Sequence, residues 1–74
     1  MKDQAIFILD DTDFNEEQGI ESLVWMVFIG DDFVNGTSEG FEQYDRKCYS
    51  QESAFDYADT LAKKFPSFEY VGMV

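Results

Sequence analysis

The chain has 74 residues, of which 45% are hydrophobic and 18% aromatic, and its 16 Asp and Glu against 5 Lys and Arg give a formal net charge of -11. A chain of this length builds one hydrophobic core, so we predict a single acidic domain over residues 1–74. The charge excludes direct binding of bare nucleic acid, which needs Lys and Arg on the phosphates. Any partner surface is expected to be basic.

Residue types that carry chemistry are sparse. The sequence has no histidine, which excludes Ser-His-Asp and Cys-His nucleophiles and the usual zinc sites with histidine ligands. Paired carboxylates are plentiful, but a chain this short leaves little room for a substrate cleft between them. We therefore expect no enzyme activity, no catalytic residue, no metal and no cofactor.

The cysteine and hydropathy patterns bear on location. Cys48 is the single cysteine, so an internal disulfide cannot form, whereas small secreted domains usually carry several. No apolar run approaches the length of a membrane span, and the run after Asp3 is too short for a signal-peptide core. We expect a cytoplasmic protein without a membrane segment, in which Cys48 is a half-buried structural thiol and Lys47 points to the opposite face of its strand.

The first half of the chain predicts two strands joined by an acidic loop. Residues 5–9 form a short apolar run closed by acidic residues, which is typical of a strand buried on both faces. Residues 11–19 are polar and end in glycine, so we expect a surface loop or one helical turn. Residues 22–29 are the longest apolar stretch, β-branched and aromatic, and we interpret them as the central strand.

The middle of the chain predicts a turn and a third strand. The Asn35-Gly36 pair is favoured in tight hairpin turns, because both residues tolerate positive φ. Residues 40–49 are more polar than the earlier strands and carry charges that discourage edge pairing. We interpret them as a strand at an edge of the sheet.

The last third predicts a helix and a final strand. Ser50 is a good N-cap, and apolar residues recur at helical spacing until Pro66, which indicates a helix over about residues 51–65. Residues 68–74 read as a strand. The order β-β-β-α-β predicts an α+β domain, with a mostly antiparallel sheet and one helix packed on one face.

The aromatic content exceeds what a single helix can cover. With 1 Trp, 4 Tyr and 8 Phe, several rings are expected on the uncovered face of the sheet or in an interface. One account is a homodimer formed through that face. Burial of Trp25 or Phe28 in a salt-insensitive dimer would support this account.

The acidic residues form clusters around residues 10–21, 31–32 and 39–45, and no Lys or Arg occurs between Asp3 and Asp45. In a meander, loops after alternate strands lie at one end of the sheet, so some clusters can form a single negative surface. Aromatic side chains supply much of the binding energy at protein interfaces. Trp25 and Tyr44 are among the aromatic residues that are candidates to lie beside such a negative surface. The residues predicted to bind a partner are Asp10, Asp11, Asp13, Phe14, Glu16, Glu17, Asp31, Asp32 and Phe33.

A calcium loop is a weaker interpretation of the same residues. The string from Asp11 to Asn15 matches the first three ligand positions of an EF-hand loop. The match then fails, because Glu16 stands where the turn needs glycine and Ser22 where a bidentate glutamate is needed. We prefer a solvated acidic segment.

Carboxylates spread over a small rigid body can imitate part of the phosphate array of duplex DNA, which carries one charge per roughly 1.7 Å of axis. In size, charge and architecture the chain is similar to the small acidic inhibitors of phages and mobile elements that block host defence enzymes, the anti-CRISPR and anti-restriction proteins. No motif adds to this resemblance. It implies a non-catalytic nucleic-acid mimic that occupies a basic, nucleic-acid-binding surface of a larger protein.

The alternative is a structural or housekeeping domain that associates with itself through the uncovered sheet face. In that case the acidity serves solubility.

Overall fold

The computed structural model describes residues 4–15 and 17–73, which form a four-stranded sheet and one α-helix. Across the sheet, the third strand lies at one edge, followed by the second, the first and the fourth. The fourth strand is parallel to the first, and the other neighbours are antiparallel. The predicted α+β fold is confirmed. In chain order the elements are β1 (Ala5–Asn15), β2 (Ile20–Gly30), a 3-10 turn (Glu42–Tyr44), β3 (Arg46–Cys48), α1 (Gln51–Lys64) and β4 (Glu69–Met73).

β1 and β2 form one long antiparallel hairpin, paired from Ala5 with Gly30 to Asn15 with Ile20. The prediction of a loop or helical turn over residues 11–19 is therefore wrong. The strand continues to Asn15, and the described turn is confined to residues 17–19, where Gly19 has a φ of 65°. Pairing with the β-branched and aromatic residues of β2 overrides the low strand propensity of the acidic residues.

The main core lies between the sheet and α1. Side chains of β1 and β2 that point to this face alternate with those that point away, as the strand period of two requires. Alanines at one-turn spacing let the helix approach the sheet closely, and Leu61 fills the space beyond them. The buried members of this core are Ile6, Ile8, Val27, Ile29, Cys48, Ala54, Ala58 and Leu61.

The helix predicted over residues 51–65 is confirmed to within one residue at its end. Ser50 caps it by accepting a hydrogen bond from the backbone N–H of Ser53 at 3.1 Å. Glu52 lies in the first turn, and Lys63 and Lys64 lie in the last, where their charges complement the helix dipole.

The opposite face of the sheet carries a second apolar cluster, formed by Ala5, Phe7 and Phe28 with Leu9 packed against it. The rings of Phe7 and Phe28 stack with their centroids 5.3 Å apart, and each residue is only 6% exposed. Trp25 packs against the core on the helix side. The two residues named as markers of an uncovered face, Trp25 and Phe28, therefore point to opposite faces, and Phe28 is already buried within the single chain.

The strand predicted over residues 40–49 is wrong for most of its length, because only Arg46–Cys48 pair with β2. Phe41 and Tyr44 both contact the Phe65 ring, with centroid distances of 6.0 and 5.2 Å. Strand residues three positions apart point to opposite faces, whereas a 3-10 turn brings them to the same side. Packing on Phe65 therefore requires the turn.

The prediction of a tight hairpin turn at Asn35-Gly36 is also wrong, because residues 31–45 form a long connection between β2 and β3. The Asp32 carboxylate accepts hydrogen bonds from the backbone N–H of Asn35 at 2.8 Å and from its side-chain amide at 3.0 Å. Of the pair, only Gly36 has positive φ. Side-chain hydrogen bonds of this kind shape a loop without any strand pairing.

Candidate interaction site

The distal half of the hairpin extends beyond the rest of the fold. β4 pairs with β1 only as far as Ile8, and β3 pairs with β2 no closer to the turn than Trp25. We call residues 10–15 and 20–24 the arm, and the remaining described elements the body. At about 3.4 Å per residue the arm is roughly 20 Å long, which accounts for the elongated shape of 45 × 23 × 20 Å.

One face of the arm, on the helix side of the sheet, exposes apolar groups between carboxylates. The register pairs Thr12 with Leu23 and Phe14 with Glu21. Leu23 is 63% exposed and Phe14 is 54% exposed, and they are diagonal neighbours on this face. Asp10 and Glu21 share the face, so an apolar patch lies beside two negative charges.

The reverse face of the arm carries Asp11 and Asp13, which are paired with Val24 and Ser22. Lys47 of β3 lies on this face and forms an ion pair with Asp13, with Nζ 3.3 Å from Oδ2. The Lys47 side chain crosses β2 to reach Asp13 on β1. Val24 lies on β2, between β3 and β1, and is 2% exposed. The pair is solvent-accessible, so it contributes at most about 1 kcal/mol.

The structure divides the residues that were predicted to bind a partner into two groups. Asp10, Asp11, Asp13 and Phe14 lie on the arm, and Glu17 lies in the turn at its tip. Glu16 lies outside the described residues. The second group, Asp31, Asp32 and Phe33, follows β2 at the opposite end of the hairpin, roughly 30 Å from the tip of the arm.

The acidic cluster of the arm and that of residues 31–32 therefore lie at opposite ends of the hairpin and do not form one continuous surface. Trp25 and Tyr44, the other aromatic candidates, are partly buried and pack against the core. Leu23 and Ile20 were missed, although both are at least half exposed on the arm. In a strand that starts at Ile20, the side chains of Ile20, Ser22 and Val24 point to one face of the sheet. Those of Glu21 and Leu23 point to the other face. This alternation becomes informative once β2 is known to start at Ile20.

A shallow groove of about 660 Å³ lies between β3 and the first half of α1. The Arg46 guanidinium lies over the Tyr57 ring, 4.9 Å from its centroid, and the Tyr57 hydroxyl donates to the Tyr44 carbonyl at 2.7 Å. Cys48 lines the groove but is buried. Burial raises the pKa of its thiol above the ordinary value of 9.0, and Arg46 opposes this effect. A thiol with a raised pKa is a poor nucleophile at neutral pH.

Two further observations concern the described residues. They contain no group of three or more His, Cys, Asp or Glu side chains that could hold a metal ion. The helical segments in this part of the chain also fall short of the length and hydropathy of a membrane-spanning helix.

No protein-family model, curated protein or solved structure matches the chain.

Proposed function

We propose that the protein is a non-catalytic binding protein that docks its arm on a basic, nucleic-acid-binding surface of a larger protein, and inhibits it in the cytoplasm as phage anti-CRISPR and anti-restriction proteins do. The observation that carries the proposal is the composition of the arm's helix-side face. There, Phe14 and Leu23 are exposed beside the carboxylates of Asp10 and Glu21.

The two kinds of side chain have separate roles in this proposal. Carboxylates on a projecting arm steer association with a basic surface and make its rate depend on salt. Apolar anchors that become buried supply most of the affinity and slow dissociation. An arm roughly 20 Å long and two strands wide fits a groove that accepts a nucleic-acid strand.

The distribution of exposed apolar side chains also bears on the choice between the arm and the second sheet face. Exposed apolar side chains occur singly on most proteins, but Phe14 and Leu23 are adjacent and far from the main core. The aromatics of the second sheet face are buried, so that face offers less apolar surface for self-association than the sequence suggested. The arm is accordingly our preferred site.

The test compares two charge variants that lose the same number of carboxylates. Asp10→Asn with Asp11→Asn changes the arm, and Asp31→Asn with Glu39→Gln changes the loop at the other end of the hairpin. Each variant and the parent are assayed for inhibition of DNA cleavage by purified restriction endonucleases and CRISPR effector nucleases at low and high salt. The parent should inhibit, the loop variant should match it, and the arm variant should associate about tenfold more slowly at low salt.

Two results would contradict the proposal. Equal effects of both charge variants would mean that net charge alone matters. Loss of inhibition in the loop variant alone would move the site to Asp31 and its neighbours. A third variant, Phe14→Ala with Leu23→Ala, should speed dissociation rather than slow association, with Phe33→Ala as its control.

A further inference from the structure

The direction of the backbone groups in β1 can be established from two hydrogen bonds. The backbone N–H of Glu69 donates to the Gln4 carbonyl at 3.0 Å, so Gln4 points away from β2 and towards β4. The backbone N–H of Thr12 donates to its neighbour's carboxylate, Asp11 Oδ1, at 2.8 Å. Because N–H and C=O of alternate residues point the same way in an antiparallel pair, every even-numbered residue of β1 directs its backbone outward.

This edge is occupied in the body and vacant in the arm, as far as the described residues show. β4 pairs with β1 from Ala5 to Ile8. Beyond that point the backbone N–H and C=O groups of Asp10 and Phe14 and the C=O of Thr12 face outward without a neighbouring strand, while the Thr12 N–H is held by the Asp11 carboxylate. An unpaired edge of this kind is a template for another strand.

We propose that an extended basic segment of the partner adds to the arm as a new strand along β1, at Asp10, Thr12 and Phe14. The inference rests on the proposed function and specifies how the arm binds. Main-chain hydrogen bonds then supply affinity, and the side chains on the two faces supply selectivity.

The faces of the arm determine the sequence that fits. Asp11 and Asp13 are two positions apart and point to the reverse face, so residues two apart in the incoming strand lie beside both. On the other side of the hairpin, Lys47 already forms an ion pair of this kind with Asp13, at 3.3 Å. Opposite charges on adjacent strands stabilise a sheet. A segment in which Lys or Arg alternates with apolar residues is therefore favoured, its apolar side chains lying on the face of Phe14.

A second copy of this chain is disfavoured as the added strand. Pairing two β1 edges would bring Asp10, Asp11 and Asp13 of one copy against the same acidic set of the other, and like charges opposite each other destabilise a sheet. The Thr12–Asp11 hydrogen bond protects the free edge by occupying one outward donor. A basic side chain that attracts the Asp11 carboxylate would release that donor.

Proline substitution tests the inference, since it removes an N–H without changing charge. At Thr12 the N–H points outward, so Thr12→Pro keeps the β1–β2 hydrogen bonds intact and blocks the edge. Thr12→Ala is the matched control. Glu21→Pro and Glu21→Ala repeat the comparison at the outward-facing edge of β2, which the proposal leaves unused.

The probe is a short synthetic peptide in which Lys and Val alternate, titrated into the labelled protein and followed by NMR. We expect the largest amide shifts at Asp10, Thr12 and Phe14, about tenfold weaker binding for Thr12→Pro than for Thr12→Ala, and similar binding by Glu21→Pro and Glu21→Ala. Far-ultraviolet circular dichroism and amide shifts of the body verify that each proline variant folds.

The outcomes separate this inference from the proposed function. If Thr12→Pro binds the peptide and inhibits nucleases as well as Thr12→Ala, strand addition is wrong, whatever the arm charge variant does. If the charge variant loses inhibition in that case, the proposed function stands and docking uses side chains alone. Shifts centred on Glu21 and Leu23 would place the added strand on β2 and overturn the assignment to β1.

Discussion

Ile8 and Leu23 belong to the same hairpin and differ completely in surroundings. Ile8 is fully buried between the sheet and α1, whereas Leu23 is 63% exposed on the arm. The body is held by a packed core and neighbouring strands on both edges. Among the described residues, the arm is held by its own cross-strand pairs and by the ion pair between Asp13 and Lys47 of β3. The comparison indicates that most of the stability of the fold resides in the body.

The largest expected difference comes from truncating one apolar side chain in each region. Ile8→Ala should destabilise the fold by about 2–5 kcal/mol, because it removes buried methyl groups and leaves a cavity. Leu23→Ala should change stability by less than about 0.5 kcal/mol, because the side chain is exposed. Urea unfolding monitored by Trp25 fluorescence measures both. Similar losses would mean that the arm is part of the cooperative core.

Glycine substitution should give a smaller contrast of the same sign. A Cβ at Gly30 would overlap the carbonyl oxygen of Gly36, which crosses directly over the end of β2. Gly30→Ala should therefore cost about 3 kcal/mol. At Gly19 nothing lies within 4 Å of an added Cβ, so Gly19→Ala should cost about 1 kcal/mol, from its positive φ alone. Thermal unfolding of the two variants tests the order, and the reverse order would contradict it.

Alkaline pH should weaken the body through Cys48. Burial raises the pKa of this thiol in the folded protein above its ordinary value of 9.0, and Arg46 partly opposes the shift. The folded state then holds the proton more tightly than the unfolded state, so this contribution is complete below pH 9.0 and is lost as pH rises through the folded-state pKa. Urea midpoints across this range should fall less steeply for Cys48→Ala than for the parent. Equal slopes would show that the thiol does not contribute.

The smallest effect is expected for the ion pair that joins the arm to the body. In a double-mutant cycle of Asp13→Asn and Lys47→Gln, the coupling energy should not exceed about 1 kcal/mol, because both side chains are accessible to solvent. It should decline as salt is added. A larger, salt-independent coupling would mean that the ion pair fixes the arm to the body.

The same contrast explains what the sequence could predict. The helix follows from Ser50, the apolar spacing and Pro66, because all of these act locally. The extent of β1 does not, since Asp10 to Asp13 have low strand propensity and are held in the strand by pairing with β2. Likewise, the turn at Phe41 to Tyr44 depends on contacts with Phe65, which is distant in sequence. Local patterns carry no information about such partners.

The candidate site was predicted in part for the same reason. Acidic and aromatic residue types pointed to Asp10, Asp11, Asp13 and Phe14, which the arm brings together. The same residue types pointed equally to Asp31 and its neighbours. The length of the hairpin places these residues at the end opposite the tip of the arm. Only the register distinguishes the two ends.

The parallel pairing of β1 with β4 also has a consequence for the order of folding. The hairpin closes between neighbouring segments, whereas Ile6 must wait for Tyr70, which the ribosome makes much later. Loop closure over such a separation is slow compared with hairpin formation. Until β4 arrives, the whole outer edge of β1, and not just the arm, is open to other strands. We therefore expect the nascent chain to be most prone to mispairing and chaperone capture just before β4 is synthesised, with aggregation suppressed once β4 docks.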